Sequence, residues 1–191
     1  MTVLVGVLAL QGDFREHAAA LQRVGADTVL VRTAEQLSGI DAFVVPGGES
    51  TTIGKLADRF GLLEPIREAI RGGLPAFGTC AGMIFLARGT TGAPQIQAGV
   101  LDVVVERNAF GRQNDSFEAD LDVAGFEEPF HAVFIRAPWI AEAGEDVEVL
   151  ASVAGHPVVV REGKVLAASF HPELTADDRF STLLLDLARE R

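Results

Sequence analysis

Cysteine is almost missing: Cys80 is the only one in a chain of 191 residues. No internal disulfide and no Cys-x-x-Cys pair can form, which excludes a disulfide scaffold and fits a reducing compartment. Histidine is scarce as well, with four residues, and together with one cysteine they make no zinc-type spacing, so no metal is expected. Basic residues are outnumbered, 16 Lys and Arg against 27 Asp and Glu, for a net charge of −11. An acidic surface repels phosphate backbones, so nucleic acid is not an expected partner. No apolar run approaches the about 18–20 residues of a membrane span. The opening MTVLVGVLALQGDF has no basic leader and no small-residue cleavage site, and reads as a first strand, so the cytoplasm is the expected location.

Hydrophobic residues are plentiful, at 48%, enough for a core in one domain spanning 1–191. The apolar run 3–10 lacks two-residue alternation, as a strand covered on both faces does. The spacing of Phe14, Ala18 and Leu21 predicts a helix over 14–24, closed by Gly25. Strands are expected at 28–31, 42–45 and 74–77, and helices at 51–60, 63–70 and from 81 to 87. This strand–helix alternation is the pattern of a parallel sheet with helices on both faces. The second half changes to strands with short turns, at 100–106, 116–123, 132–135, 147–152, 158–162 and 165–169, before a last helix over 178–189. The expected fold class is α/β, three-layered, with a mixed and mainly parallel central sheet.

Ligands in such sheets sit beyond the C-terminal ends of the strands. Gln11-Gly12-Asp13, Pro46-Gly47-Gly48-Glu49-Ser50 and Gly78-Thr79-Cys80-Ala81-Gly82 all fall there. The last is a G-x-C-x-G turn at a strand-to-helix junction, the cysteine counterpart of the serine nucleophile elbow. Flanking glycines are needed because a Cβ would strike the neighbouring strand or helix. The cysteine then holds a strained backbone with its side chain exposed, and the Ala81 N–H is placed to help bind an oxyanion. A lone cysteine elsewhere would read as a buried structural residue.

Such a nucleophile needs a base and a group to orient it. His17 falls mid-helix and reads as a helix-surface residue; His131 and His156 read as surface positions before a strand and in a hairpin turn. His171 follows an apolar strand, in Ser-Phe-His-Pro-Glu, and Pro172 can turn Glu173 back beside its imidazole. The Gly47-Gly48 loop reads as an oxyanion contributor through the Gly48 N–H, or as a plain helix cap with Ser50 or Thr51 capping; it has no nucleotide-binding glycine spacing.

PGGEST, GTCAG and HPE together resemble the triad-type, class I glutamine amidotransferases, whose core is flavodoxin-like. LALQGDFREH, VPGGEST, FGTCAGM, VVERNAFGRQNDSFEADL, FIRAP and SFHPELT, spread over residues 8–175, resemble more narrowly the PdxT/SNO family, the glutaminase subunits of two-component pyridoxal 5′-phosphate synthases. The resemblance implies that Cys80 attacks the side-chain amide of L-glutamine, His171 moves the proton and Glu173 orients His171. It implies oxyanion N–H groups from Gly48 and Ala81. It implies glutamine contacts from Gly47, Gly48, Glu49, Arg107, Ile135 and Arg136. Free glutamine carries a carboxylate and an ammonium, which suit an arginine and a glutamate. Without the resemblance each arginine reads equally well as half of a surface salt bridge. Gln11 would lie at the contact with the synthase subunit, a (β/α)8 barrel in a complex of twelve plus twelve subunits, where docking helps to complete the oxyanion hole. Pyridoxal phosphate would be the product of that complex and no cofactor of this chain. The stretch 88–97 is expected to carry the least constraint.

Overall fold

The computed structural model describes residues 2–110 and 116–190. The part of the 104–121 signature at 111–115 lies outside the described residues. Twelve strands and five α-helices are placed among them. In chain order they are β1 (Leu4–Leu8), α1 (Phe14–Arg23), β2 (Asp27–Val31), β3 (Ala42–Val45), α2 (Ser50–Arg59), α3 (Leu63–Arg71), β4 (Ala76–Thr79) and α4 (Ala81–Leu86). Then follow β5 (Ala87–Thr90), β6 (Leu101–Glu106), β7 (Ser116–Leu121), β8 (Phe130–Ile135), β9 (Trp139–Ala143), β10 (Glu148–Val153), β11 (His156–Glu162), β12 (Val165–Ala168) and α5 (Arg179–Arg189).

Seven strands form the central sheet in the order β10-β11-β12-β4-β3-β1-β2. From β12 to β2 every pair is parallel; β11 runs antiparallel to both of its neighbours, β12 and β10. The sheet is therefore mixed and mainly parallel, as expected. Its apolar strands serve two cores. In β3, Phe43 and Val45 face one core while Ala42 and Val44 face the other, and Val165 and Ala167 against Leu166 and Ala168 split β12 in the same way. A strand with helices on both faces has no polar side to show, which is why two-residue alternation is missing from the sequence.

Ile53, Ile66 and Met83 bring α2, α3 and α4 to the first core; Leu21 and Phe180 bring α1 and α5 to the second. The strands at 101–106, 116–121 and 130–135 do not extend the central sheet. β6 joins β5 and β9 in a three-stranded sheet, and β7 pairs only with β8. β5 and β9 were not anticipated: Ala-Arg-Gly-Thr and Trp-Ile-Ala-Glu-Ala carry little strand signal, and cross-strand pairing makes them strands. No helix among the described residues is long and apolar enough to cross a membrane.

Candidate active site

The end of β4 and the start of α4 are separated by one residue, Cys80. Its backbone sits at φ 49° and ψ −104°, the strain expected of an elbow. A Cβ on Gly78 would come to 2.7 Å from the Gly82 backbone, and one on Gly82 would land on the carbonyl oxygen of Val45 in β3. Both glycines are thus required by close approach of backbone, from the helix and from the strand. The Cys80 N–H is taken by the Ala168 carbonyl at 2.8 Å. Ala81 opens the helix, and a first helical residue has no intrahelical acceptor for its N–H. Cys80 departs from expectation in one respect: the residue is only 8% exposed. The thiol is on the floor of a cleft of about 390 Å³, reached through that cleft and not from open surface.

Gln11, Asp13, Gly48, Glu49, Ala81, Arg107, Ile135, Arg136 and His171 line the same cleft. All the expected residues but Gly47 and Glu173 are among the lining, and those two stand directly behind His171: a Cβ on Gly47 would meet its ring, and Glu173 Oε1 meets its Nδ1 at 2.7 Å. Glu173 is carried by a short 3-10 turn at Pro172–Leu174. His171 and Glu173 are both buried. Burial works against the His171 cation, but hydrogen bonding to Cys80 and Glu173 and their charges outweigh it and raise its pKa to about 10. Cys80 Sγ also lies 4.0 Å from the Ile135 carbonyl oxygen. Among the described residues, four other than glycine have positive φ, and Cys80, Asn108 and Arg136 of these line the cleft.

Two loops are laced together beside the thiol. Asp13 N–H donates to the Gly47 carbonyl at 3.1 Å, and Glu49 N–H donates to Gln11 Oε1 at 2.6 Å. Gly12, at φ 98°, has no room for a Cβ because the Gly47 carbonyl lies there. Glu49, not Ser50 or Thr51, caps α2: its carboxylate accepts from the N–H groups of Thr51 and Thr52 at 3.2 and 2.8 Å and from both threonine hydroxyls. Partial burial opposes these bonds, yet they pull its pKa down to about 2. Arg107 Nη2 contacts the same carboxylate at 3.2 Å, so the expected cation and anion face each other across the cleft rim.

The stretch 88–97 is more constrained than expected. Gln95 Oε1 accepts from Ser50 Oγ at 3.2 Å and Arg107 Nη1 at 3.3 Å, Gln97 donates to the Ile84 carbonyl, and the Ile96 backbone presses on Gly54. Sequence reasoning also passed over Asp13 as a site residue, although its Oδ2 lies 3.5 Å from His171 Nδ1. His131 is exposed as expected, but within β8 and paired with Asp120 and Glu118. His156 opens β11 and stacks on Trp139, 3.6 Å between centroids. His17 is no surface residue: it is 3% exposed, and burial lowers its pKa, against the pull of the Glu173 charge. Asp13, His171 and Glu173 offer ligand atoms within 4.8 Å of one another, but the His171 nitrogen in that group is the one bonded to Glu173, so the imidazole–carboxylate pair already accounts for the spacing.

A thiol on a strained elbow, a buried imidazole held by a carboxylate and the helix-opening N–H of Ala81 beside it are the equipment of cysteine-dependent acyl transfer. The fold places it in a narrower class. A crystal structure described as a glutamine amidotransferase superposes with a TM-score of 0.93 at 57% identity, covering 97% of this chain and 98% of that one. Residues 7–188 match the SNO glutamine amidotransferase family, and the chain belongs to that family. A protein of Frankia alni called pyridoxal 5′-phosphate synthase subunit PdxT is 61% identical over 97% of this chain and 94% of its own length. One of the same name from Thermus thermophilus is 59% identical over 98% and 99%.

Proposed function

We propose that this chain is the glutaminase subunit of a pyridoxal 5′-phosphate synthase and that its triad is Cys80, His171 and Glu173. The sulfur of Cys80 attacks the side-chain amide carbon of L-glutamine. The N–H groups of Gly48 and Ala81 stabilise the oxyanion, and the C–N bond breaks as His171 gives its proton to the departing nitrogen, releasing ammonia. Water, deprotonated by His171, then cleaves the γ-glutamyl thioester to L-glutamate and restores the thiol. Glu173 keeps the His171 ring in one orientation throughout. The observation that carries this reading is the buried His171–Glu173 pair, at 2.7 Å, with His171 lining the cleft whose floor is the strained Cys80 and Glu173 behind it.

Glutamine bound here would exchange the Arg107–Glu49 contact for two of its own, carboxylate to arginine and ammonium to glutamate, with Ile135 and Arg136 enclosing it and Gly47 in the loop that leads to Glu49. The ammonia is consumed by a barrel-type synthase subunit, in a complex of twelve plus twelve, and Gln11 lies at that contact. The Gln11–Glu49 hydrogen bond supports gating, since a partner that moves Gln11 also moves the loop carrying Gly48. The reaction runs in the cytoplasm, where an unpaired thiol stays reduced. Acid quenching of the complex during turnover of L-glutamine, followed by intact-mass measurement, tests the chemistry. A γ-glutamyl adduct on the wild-type chain that is missing from Cys80→Ala is the expected result. An adduct elsewhere, or turnover without Cys80, would overturn it.

A further inference from the structure

His17 is not on the cleft, yet it is buried against the machinery that lines it. Its Nε2 is 2.9 Å from the hydroxyl of Thr79, the residue before Cys80, and 3.3 Å from Glu173 Oε2. Glu173 Oε1 is committed to His171; Oε2 is buried and has no well-aligned hydrogen-bond partner in the structure. His17 Nε2 reaches that second oxygen, within ion-pair distance though not in good alignment. A buried carboxylate oxygen without a donor has given up its hydration with nothing in return, which disfavours the folded state. Only one tautomer relieves it. If Thr79 donated to a bare Nε2, a lone pair would face the carboxylate; with Nε2–H, one proton is shared by Thr79 Oγ1 and Glu173 Oε2.

We propose that His17, neutral and protonated at Nε2, is a positioning residue that clamps the orienting carboxylate Glu173 to the nucleophile elbow through Thr79. This rests on the triad reading above. The clamp joins two segments far apart in the chain, the end of β4 and the 3-10 turn after β12. It sets Glu173 so that its other oxygen aims at His171. Phe77 packs edge-on against the His17 ring, 6.4 Å between centroids at 89°, and keeps it from rotating away. The charged and titratable groups around it are Glu173 from the 3-10 turn, His171 just before that turn, Asp13 from the β1–α1 loop and Glu16 from its own helix.

Two measurements in the complex with the synthase subunit decide the matter. Nitrogen NMR of the histidine-labelled wild type is expected to show His17 as the neutral Nε2–H tautomer; a cation, or the Nδ1–H form, would overturn the clamp. Steady-state kinetics on His17→Leu should show kcat for glutamine hydrolysis lowered about tenfold to a hundredfold, the cost usual for an outer partner of a working side chain. KM should stay within about twofold, since His17 touches no substrate. The alkaline limb of the rate profile should move to lower pH as His171 loses its held carboxylate, and His17→Gln, which still offers an N–H, should recover part of both effects. Unchanged kcat, or equal losses in the Leu and Gln variants with an unmoved limb, would reduce His17 to a packing residue. Should the Leu variant fail to fold, the tautomer and the Gln profile still give the answer. Absence of turnover in wild type would instead strike at the triad reading, leaving the tautomer result to stand alone.

Discussion

Cys80 and His171 are useful to each other because of where each is held. Strained backbone fixes the sulfur at the cleft floor, and the imidazole opposite stays protonated to about pH 10. The sign of that shift sets two expectations. A raised folded-state pKa means that the folded chain binds the proton more tightly than the unfolded one, so the group favours folding wherever that proton is bound. The His171 contribution is therefore whole below about pH 6.5, its ordinary value, and is lost as pH climbs through about 10. On the proposed mechanism the same deprotonation removes the proton that ammonia needs, so kcat/KM should fall on an alkaline limb near pH 10; a limb near the ordinary histidine value would contradict the pairing. Gly82 is the other single position with a sharp expectation. Because a Cβ there meets a strand carbonyl and not a yielding side chain, Gly82→Ala should cost about 1–3 kcal/mol in urea unfolding, in the manner of an overpacked core. A cost under about 0.5 kcal/mol, the ordinary range for an unconstrained surface site, would show that the elbow has slack.

The helices and loops around the sheet differ in how far the sequence exposes them. α1 is visible through Phe14, Ala18 and Leu21, and a second spacing runs beside it: Phe14, His17, Leu21 and Val24 are three, four and three apart, so His17 falls on the buried stripe. Histidine on such a stripe is readily taken for a surface residue until a partner such as Glu173 is seen. The elbow and the His171–Glu173 pair were legible because local chain geometry makes them: a strand, a tight turn, a proline. The Glu49 cap was less so, since a glutamate is an unusual cap and Ser50 and Thr51 compete for the role. Gln95 was invisible, because its place beside Arg107 depends on a contact between segments twelve residues apart. For α2 the expectation is that Glu49→Ala costs about 1 kcal/mol of stability, as loss of a cap does. The cap should also weaken with acid: its contribution is present above about pH 4.5 and lost as pH falls toward about 2. Thermal melts of both proteins from pH 7 to pH 2 check this, and equal melts at neutral pH would count against the cap.

Across the whole molecule, the parallel part of the sheet sets the site. β1, β3, β4 and β12 all end on one side, so the loops after them, with Gln11, Gly48, Cys80 and His171, meet there although the chain brings them in from positions 11 to 171. That much follows from strand–helix alternation, and it is why the fold class and the cleft could be read from the sequence. The small sheets could not. β7 and β8 pair only with each other, and nothing in an isolated apolar stretch says which sheet it will join. On the proposed reading, Gln11, whose Oε1 accepts from the Glu49 N–H next to Gly48, is the link through which a docked subunit acts on the oxyanion N–H. Gln11→Ala should leave the fold intact and blunt the rise in glutaminase rate on docking by about tenfold or more, the range of a lost oxyanion contribution. An unchanged rise would place the gate elsewhere.

Glutamate release from L-glutamine, measured on the purified chain with and without a saturating pyridoxal 5′-phosphate synthase subunit and alongside Cys80→Ala, tests the central claim most directly. Release that requires Cys80 and increases when the partner is bound is the expected result. No release with the partner demonstrably bound, or release undiminished in Cys80→Ala, would contradict it.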